Sequence, residues 1–341
     1  MKARPFLLWI VDNLIVIILV VMLLCAALFV PYFFTLTNMI NLIYDGVPLG
    51  VISIAQGLAI CTGNIDLSVE SVMSFSVAVA VVIGKSLDLN PFLMLAIVFL
   101  VGICIGAVNA FFIVKVKINA LIVTLCMLMI YRGFTVQLVP LYIWGLPSKF
   151  IYLGAKSFSG LPLCLIVFLV LFCLLYIVMT RNRFGRELLG IGGNRKAAFG
   201  AGIAVSRLQF LVFIFSSLLA SLAGLLMAGK LESVTSSMGQ GTVFLTIAAA
   251  LLGGISMSGG VFPVIGLLAG ILVLCVLDTT LSLLRVSPYI VYAIKGIILF
   301  AALVVDHFKT YFRAVIVNSG RKVKDATQML EAKRAAHGQD M

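Results

Sequence analysis

The chain has 341 residues, of which 63% are hydrophobic and only 11% charged. Its mean hydropathy of +1.23 excludes a water-soluble globule, in which about 25% of residues are charged. A formal net charge of +12 would suit a nucleic-acid binder, but the basic residues cluster between apolar runs, which fits a lipid bilayer.

A helix needs about 20 apolar residues to cross a bilayer. Ten candidate spans follow in chain order: 7–30, 47–61, 67–84, 92–114, 118–139, 161–179, 208–228, 243–256, 263–284 and 289–305. The second and eighth are short. The first follows Lys2 and Arg4 but is longer than a signal-peptide core and is followed by no small-residue cleavage site, so it is expected to remain as a helix. The expected fold is all-α, a polytopic transmembrane bundle of about ten spans with short broken helices over 1–305, followed by a basic cytoplasmic tail over 306–341. Seventeen Lys and Arg then fall on one side of the membrane, five on the other and two within spans. By the positive-inside rule this places both termini in the cytoplasm, and the excess charge meets anionic lipid headgroups.

The strings after the two short spans share a pattern: Gly63-Asn64-Ile65-Asp66-Leu67-Ser68 and Gly253-Gly254-Ile255-Ser256-Met257-Ser258. Glycine-broken short spans expose backbone groups to a cavity and point to sites near the midplane. Intramembrane charge is costly and therefore informative. Asp66 and Glu70, four apart, share a helical face, with Ser68, Ser71 and Ser74 nearby. Two readings stand for them: a cap on the next helix, or a polar wall of a substrate path. Asn109, Arg132, Gln137, Asp278 and Lys295 are further polar residues in apolar context, each readable as an interhelical hydrogen-bond partner.

The outer loop at 140–160 carries Pro140, Pro147 and Gly154. The inner loop at about 180–207 is basic and glycine-rich. Asn194 can cap a short helix over Arg195-Lys196-Ala197-Ala198, and Gly200 and Gly202 can stop it. Leu188, Leu189 and Ile191 give the loop a small apolar face. Such an element is either a topology signal or a dock for a cytoplasmic partner.

The seven cysteines all lie in apolar runs without a C-x-x-C and read as small buried hydrophobes. His307 and His337 lie in the tail region, so no metal site is expected. The chain has no Walker A string, no G-x-S-x-G and no sign of a cofactor, so it is not expected to be an enzyme.

Taken in order, several strings resemble the membrane permeases of the ribose-type branch of bacterial ABC sugar importers. They are Thr62-Gly63-Asn64-Ile65-Asp66-Leu67-Ser68-Val69-Glu70-Ser71, Asn109, Ile122-Val123-Thr124-Leu125, Arg132-Gly133, Phe184-Gly185-Arg186, Gly192-Gly193-Asn194, Ala197-Ala198, Gly202-Ile203, Ile247-Ala248-Ala249, Gly253-Gly254, Ser256 and Gly259-Gly260. The likeness spans about 47–305.

It implies a bacterial inner-membrane subunit that moves a monosaccharide or small polyol. Its implied partners are a second permease copy or paralogue, cytoplasmic ATPase subunits that hydrolyse the ATP, and a periplasmic sugar-binding protein. It implies coupling to the ATPase through Gly185, Arg186, Gly192, Gly193, Asn194, Ala197, Ala198 and Gly202. Asp66, Ser68, Glu70 and Asn109 are the expected substrate-path residues. A carrier or channel without an ATPase is the alternative, and the central loop speaks against it.

Some positions depart from the family pattern: Asn64, Glu70 and Phe262 stand where glycine is usual, and Val243 and Leu245 stand where an acidic pair is usual.

Overall fold

The computed structural model describes residues 3–158, 160–304 and 308, and side chains from Ile15 onward. The basic tail over 306–341, Phe308 apart, lies outside them.

The ten apolar runs are helices. α1 spans Ala3–Phe29, α2 Leu36–Cys61, α3 Val69–Ser86 and α4 Pro91–Ala110, which continues into a π-helical turn at Phe111–Lys115. α5 spans Ala120–Leu138. A four-residue α6 (Tyr152–Ala155) precedes α7 (Leu163–Arg181). Two short helices follow, α8 (Arg183–Gly193) and α9 (Arg195–Gly200). α10 runs Val205–Leu231, α11 Thr242–Leu252, α12 Val264–Leu283 and α13 Pro288–Val304. Among the described residues seven helices are long and apolar enough to cross a membrane: α2, α3, α4 with its π turn, α5, α7, α10 and α12. Ile15–Phe29, α11 and α13 are shorter apolar helices.

Local chemistry sets the boundaries. Asn90, Asn119, Asn182 and Asn194 each accept a backbone N–H at the start of α4, α5, α8 and α9, satisfying donors that the helix itself leaves free. The first short run is not short. Residues 47–61 are the C-terminal half of the 26-residue α2. Its N-terminal half carries Asn38, Asn41 and Asp45, which depress local hydropathy and hid the helix. The second short run is short, with α11 only 11 residues long.

α10 is the central helix, packed on α2, α3 and α4. Its small residues Ser216, Ser217, Ala220, Ser221, Ala223 and Gly224 are all buried. Opposite them, a Cβ on Gly106 of α4 would stand 2.6 Å from the Ile214 Cα. In lipid, where burial of apolar surface drives little, close backbone approach through small residues is the source of packing.

Two contacts fix the ends of the bundle. Strand β1 (Tyr142–Trp144) after α5 pairs antiparallel with strand β4 (Ser233–Thr235) after α10; the small hairpin of β2 (Ser157–Phe158) and β3 (Leu161–Pro162) lies between them in sequence. Lys85, at the end of α3, donates to the Trp144 carbonyl at 2.6 Å. This is the strand end. At the opposite end Gly260 N donates to Cys61 O at 2.9 Å, and a Cβ on Gly192 would collide with that same carbonyl and with Gly260 N. The end of α2, the end of α8 and the loop before α12 thus meet backbone to backbone in a glycine clasp.

Only Cys61, Cys164 and Cys275 are buried; Cys25, Cys104, Cys126 and Cys173 are exposed, contrary to the expectation of seven buried thiols. They lie on outward faces of helices that also expose large apolar side chains such as Leu24, Leu125 and Leu174, as a lipid-facing surface requires.

Candidate functional site

A cavity of about 1090 Å³ opens among the strand-end halves of α2, α10, α11, α12 and α13. From α2 come Asn38, Asn41, Asp45, Leu49 and Ile52; from α10, Met227 and Lys230; from the start of α11, Gln240, Gly241, Thr242 and Phe244. α12 gives Asp278, Thr279 and Ser282, and α13 gives Tyr292 and Lys295. The charges are matched. Lys230 pairs with Asp45 across α10 and α2, and Lys295 pairs with Asp278 at 2.9 Å across α13 and α12. Glu70, also in the wall, pairs with Arg132 at 3.2 Å. The wall is therefore electrically balanced and of mixed polarity, with hydroxyl, amide and carboxylate groups set among aliphatic side chains and the aromatic rings of Tyr44, Phe244 and Tyr292. Such a surface hydrogen-bonds a neutral, hydroxyl-rich molecule without holding a net countercharge.

Of the expected path residues only Glu70 borders this cavity. Asp66, Ser68 and Asn109 form a sealed network beneath it. Ser68 donates to Asp66 Oδ1 through its backbone N–H at 3.0 Å and its hydroxyl at 2.6 Å. Ser216 Oγ of α10 donates to Asp66 Oδ2 at 2.9 Å, and Asn109 Nδ2 of α4 donates to Ser68 Oγ at 2.8 Å. All four side chains are fully buried. The network pins the break between α2 and α3 to α4 and α10.

Glu70 joins two elements far apart in sequence. Its Oε2 accepts from Gly241 N at 2.9 Å and Val243 N at 3.3 Å, the first donors of α11, which has no side-chain cap and no acidic residue in its first turn. Arg132 in turn donates to the carbonyls of Ser236 at 2.5 Å and Met238 at 3.3 Å. The negative charge that complements the N-terminus of α11 is supplied from α3. Phe262 has another role: its ring packs where a Cβ on Gly57 would lie, at 3.0 Å, closing α2 against the loop before α12.

The inner-loop residues come together at the glycine-clasp end. Asn194 ends α8 and caps α9, accepting from Ala197 N at 3.0 Å. The expected helix over 195–198 is α9, extended to Gly200, and Gly202 (φ +80°) terminates it. α8 was not foreseen as a separate helix. Its buried face of Gly185, Leu188 and Ile191 seats it on the bundle, with Gly185 against Met179. Arg186 donates to the Arg181 carbonyl at 3.1 Å. Ala198 is buried, Ala197 exposed, and Gly192 sits in the clasp, whereas a Cβ on Gly193 would meet nothing. Arg195, Lys196 and Phe199 project outward, Phe199 at 75% exposure.

The cavity itself was only partly foreseen. Asp278 and Lys295 stood out as polar residues in apolar runs. Asn38, Asn41, Asp45, Lys230 and Gln240 did not, although 38, 41 and 45 carry the spacing of one helical face.

Comparison with known proteins gives concordant findings. The family described as branched-chain amino acid transport system / permease component matches residues 38–303. The L-arabinose transport system permease protein AraH of Escherichia coli is 33% identical over 313 residues, covering 88% of this chain and 92% of that protein. The ribose import permease protein RbsC of Escherichia coli is 31% identical over 310 residues, covering 88% and 95%, and that of Bacillus subtilis is 32% identical over 313 residues, covering 91% and 94%. No solved structure matches. The chain is a multi-pass membrane protein and belongs to the branched-chain amino acid transport system / permease component family.

Proposed function

We propose that the chain is the membrane permease subunit of an ATP-driven ABC importer in the bacterial inner membrane, moving a monosaccharide or similar small polyol. The observation that carries this is near-full-length similarity to permeases named for arabinose and ribose. The charge-balanced cavity, with its polar groups set among apolar ones, agrees with a neutral polyol, a ligand that needs hydrogen bonds and weak holding.

Topology and partners follow on the same reading. The strand end, with the open cavity, faces the periplasm and receives substrate from a binding protein. The glycine-clasp end faces the cytoplasm, where exposed Arg195, Lys196 and Phe199 of α9 dock an ATPase subunit, and ATP hydrolysis belongs to that subunit. A second permease, a copy or a paralogue, completes the pore. A carrier working alone has no use for α9, whose exposed Arg195, Lys196 and Phe199 face outward from a helix pair seated on the bundle by α8.

Uptake of labelled L-arabinose, D-ribose and L-leucine, with the chain expressed beside its ATPase and binding-protein subunits, tests the proposal. ATP-dependent uptake of a sugar is the expected result. Uptake of leucine alone, or sugar uptake without any ATPase, would overturn it.

A further inference from the structure

Glycine inside a helix costs about 1 kcal/mol relative to alanine, and this bundle places it where helices touch. In the long apolar helices α2, α3, α4, α10 and α12, each glycine has a neighbouring atom within 3 Å of where a Cβ would stand. Gly133 of α5 and Gly296 of α13 differ: a Cβ on either would meet nothing within 4 Å, and both residues are exposed. Around them large apolar side chains also point outward, Met129, Ile130 and Phe134 on α5 and Tyr292, Ile297 and Phe300 on α13. An open glycine set among large side chains is shaped to receive another helix. The two faces lie on one side of the molecule. Arg132, next to Gly133, donates to the carbonyls of Ser236 and Met238, and the Tyr292 ring lies 3.7 Å from where a Cβ on Gly241 would stand, so the loop before α11 joins α5 to α13. A separate observation concerns the cavity, whose rim includes Gly296. Its Lys295–Asp278 pair is only partly buried and lies within the apolar lengths of α13 and α12. Ionisable groups at membrane depth face protein or water, not hydrocarbon. The mouth of the cavity therefore needs a protein cover.

We propose that the cover is a second copy of this chain, with α5 of each copy packed antiparallel on α13 of the other, Gly133 against Gly296, and the two cavities facing the passage between them. The inference names the face that the second permease of the proposed function uses, and rests on that reading. The depths match. At 1.5 Å per residue, Gly133 lies about 8 Å from the strand end of α5 at Leu138, and Gly296 about 12 Å from the strand end of α13 at Pro288. A two-fold axis along the membrane normal preserves depth, so it brings the two glycines to nearly the same level, with α5 and α13 running in opposite directions. One chain carries both halves of the contact. A two-fold copy therefore satisfies each of them twice and closes the assembly, whereas a paralogue would need its own open glycines at the same two depths.

The test places Gly133→Cys and Gly296→Cys in two differently tagged full-length chains, expressed together with the ATPase and binding-protein subunits and oxidised in the membrane with copper phenanthroline. Helices that touch at glycine bring their Cα atoms into disulfide range. A product that carries both tags and is linked between positions 133 and 296 is expected, mapped by mass spectrometry so that links through native cysteines are told apart. A second arm uses Gly133→Leu, whose side chain enters open space in the single chain. It keeps parental membrane abundance, and its dimer dissociation constant, read by single-molecule photobleaching in vesicles, rises about tenfold or more. Absence of the 133–296 link, a link only to a different permease, or parental dimerisation of Gly133→Leu would each overturn the proposal. The link is scored without uptake, so a parent chain that dimerises through it but imports no sugar overturns the permease reading and leaves the contact standing.

Discussion

Glu70→Ala is the perturbation that probes most of the site at once. It removes the Arg132 contact at 3.2 Å and the two backbone acceptor bonds to Gly241 and Val243. Losing a helix cap costs about 1 kcal/mol. Breaking a buried pair by deleting one partner costs roughly 3–5 kcal/mol, because the other charge stays behind. Arg132 keeps the carbonyls of Ser236 and Met238 and lies close to Ser74 Oγ, and it is not wholly buried, so the lower end of that range applies. The expected destabilisation is about 4 kcal/mol in total. Glu70→Gln, which keeps an acceptor for α11 but not the charge, loses less. In Glu70→Leu combined with Arg132→Met neither charge remains, and replacement of both partners by apolar groups is close to neutral. The double variant is therefore more stable than Glu70→Ala alone. SDS-titration unfolding in mixed micelles measures all three. A Glu70→Ala variant within about 0.5 kcal/mol of the parent, the ordinary range for surface substitutions, would refute the account of Glu70 as the clamp on α11.

Gly192→Ala places a methyl on Cys61 O and Gly260 N and is expected to abolish transport or membrane accumulation, whereas Gly193→Ala, with open space at its Cβ, keeps both; equal uptake by the two variants would count against the clasp. Asp66→Ala strips three hydrogen bonds from a sealed network and is expected to lower membrane abundance severalfold; full abundance with lost uptake per molecule would instead assign Asp66 to the path. Phe199→Ala leaves the bundle intact, since the ring is exposed, but is expected to abolish substrate-stimulated ATP hydrolysis; unchanged hydrolysis would remove α9 as the dock. Ala198→Glu drives a carboxylate into a buried position and is expected to lose the same coupling, with the full assembled complex as the sample.

What was legible in the sequence followed the length scale of the interaction. Helices of the bundle announce themselves by apolar runs, and α9 announces itself by Asn194 and Gly202, because capping acts within a few residues. α2 shows the limit. Its N-terminal half is polar because it lines a cavity, so the feature that makes it functional erased the hydropathy signal that would have extended the helix. Asp66 and Ser68 were visible as costly intramembrane groups, yet whether they line a path or seal a joint depends on Ser216 and Asn109, which lie 150 and 41 residues from their partners. Glu70 is the sharpest case. Read alone it is a charge where the resemblance leads one to expect glycine; read with the bare first turn of α11 it supplies the negative charge that helix lacks. Its partners Gly241 and Val243 lie 171 and 173 residues along the chain, and no local pattern connects them. This placement has a mechanical consequence. A carboxylate within the first turn of α11 would complement that helix from inside itself, whereas Glu70 holds it from α3 while Arg132 of α5 holds the preceding loop. The N-terminus of α11, which forms one wall of the cavity, is thereby tied to two other helices, so any opening of that wall must either carry α3 and α5 with it or break the bonds that Glu70 and Arg132 make to α11 and the loop before it.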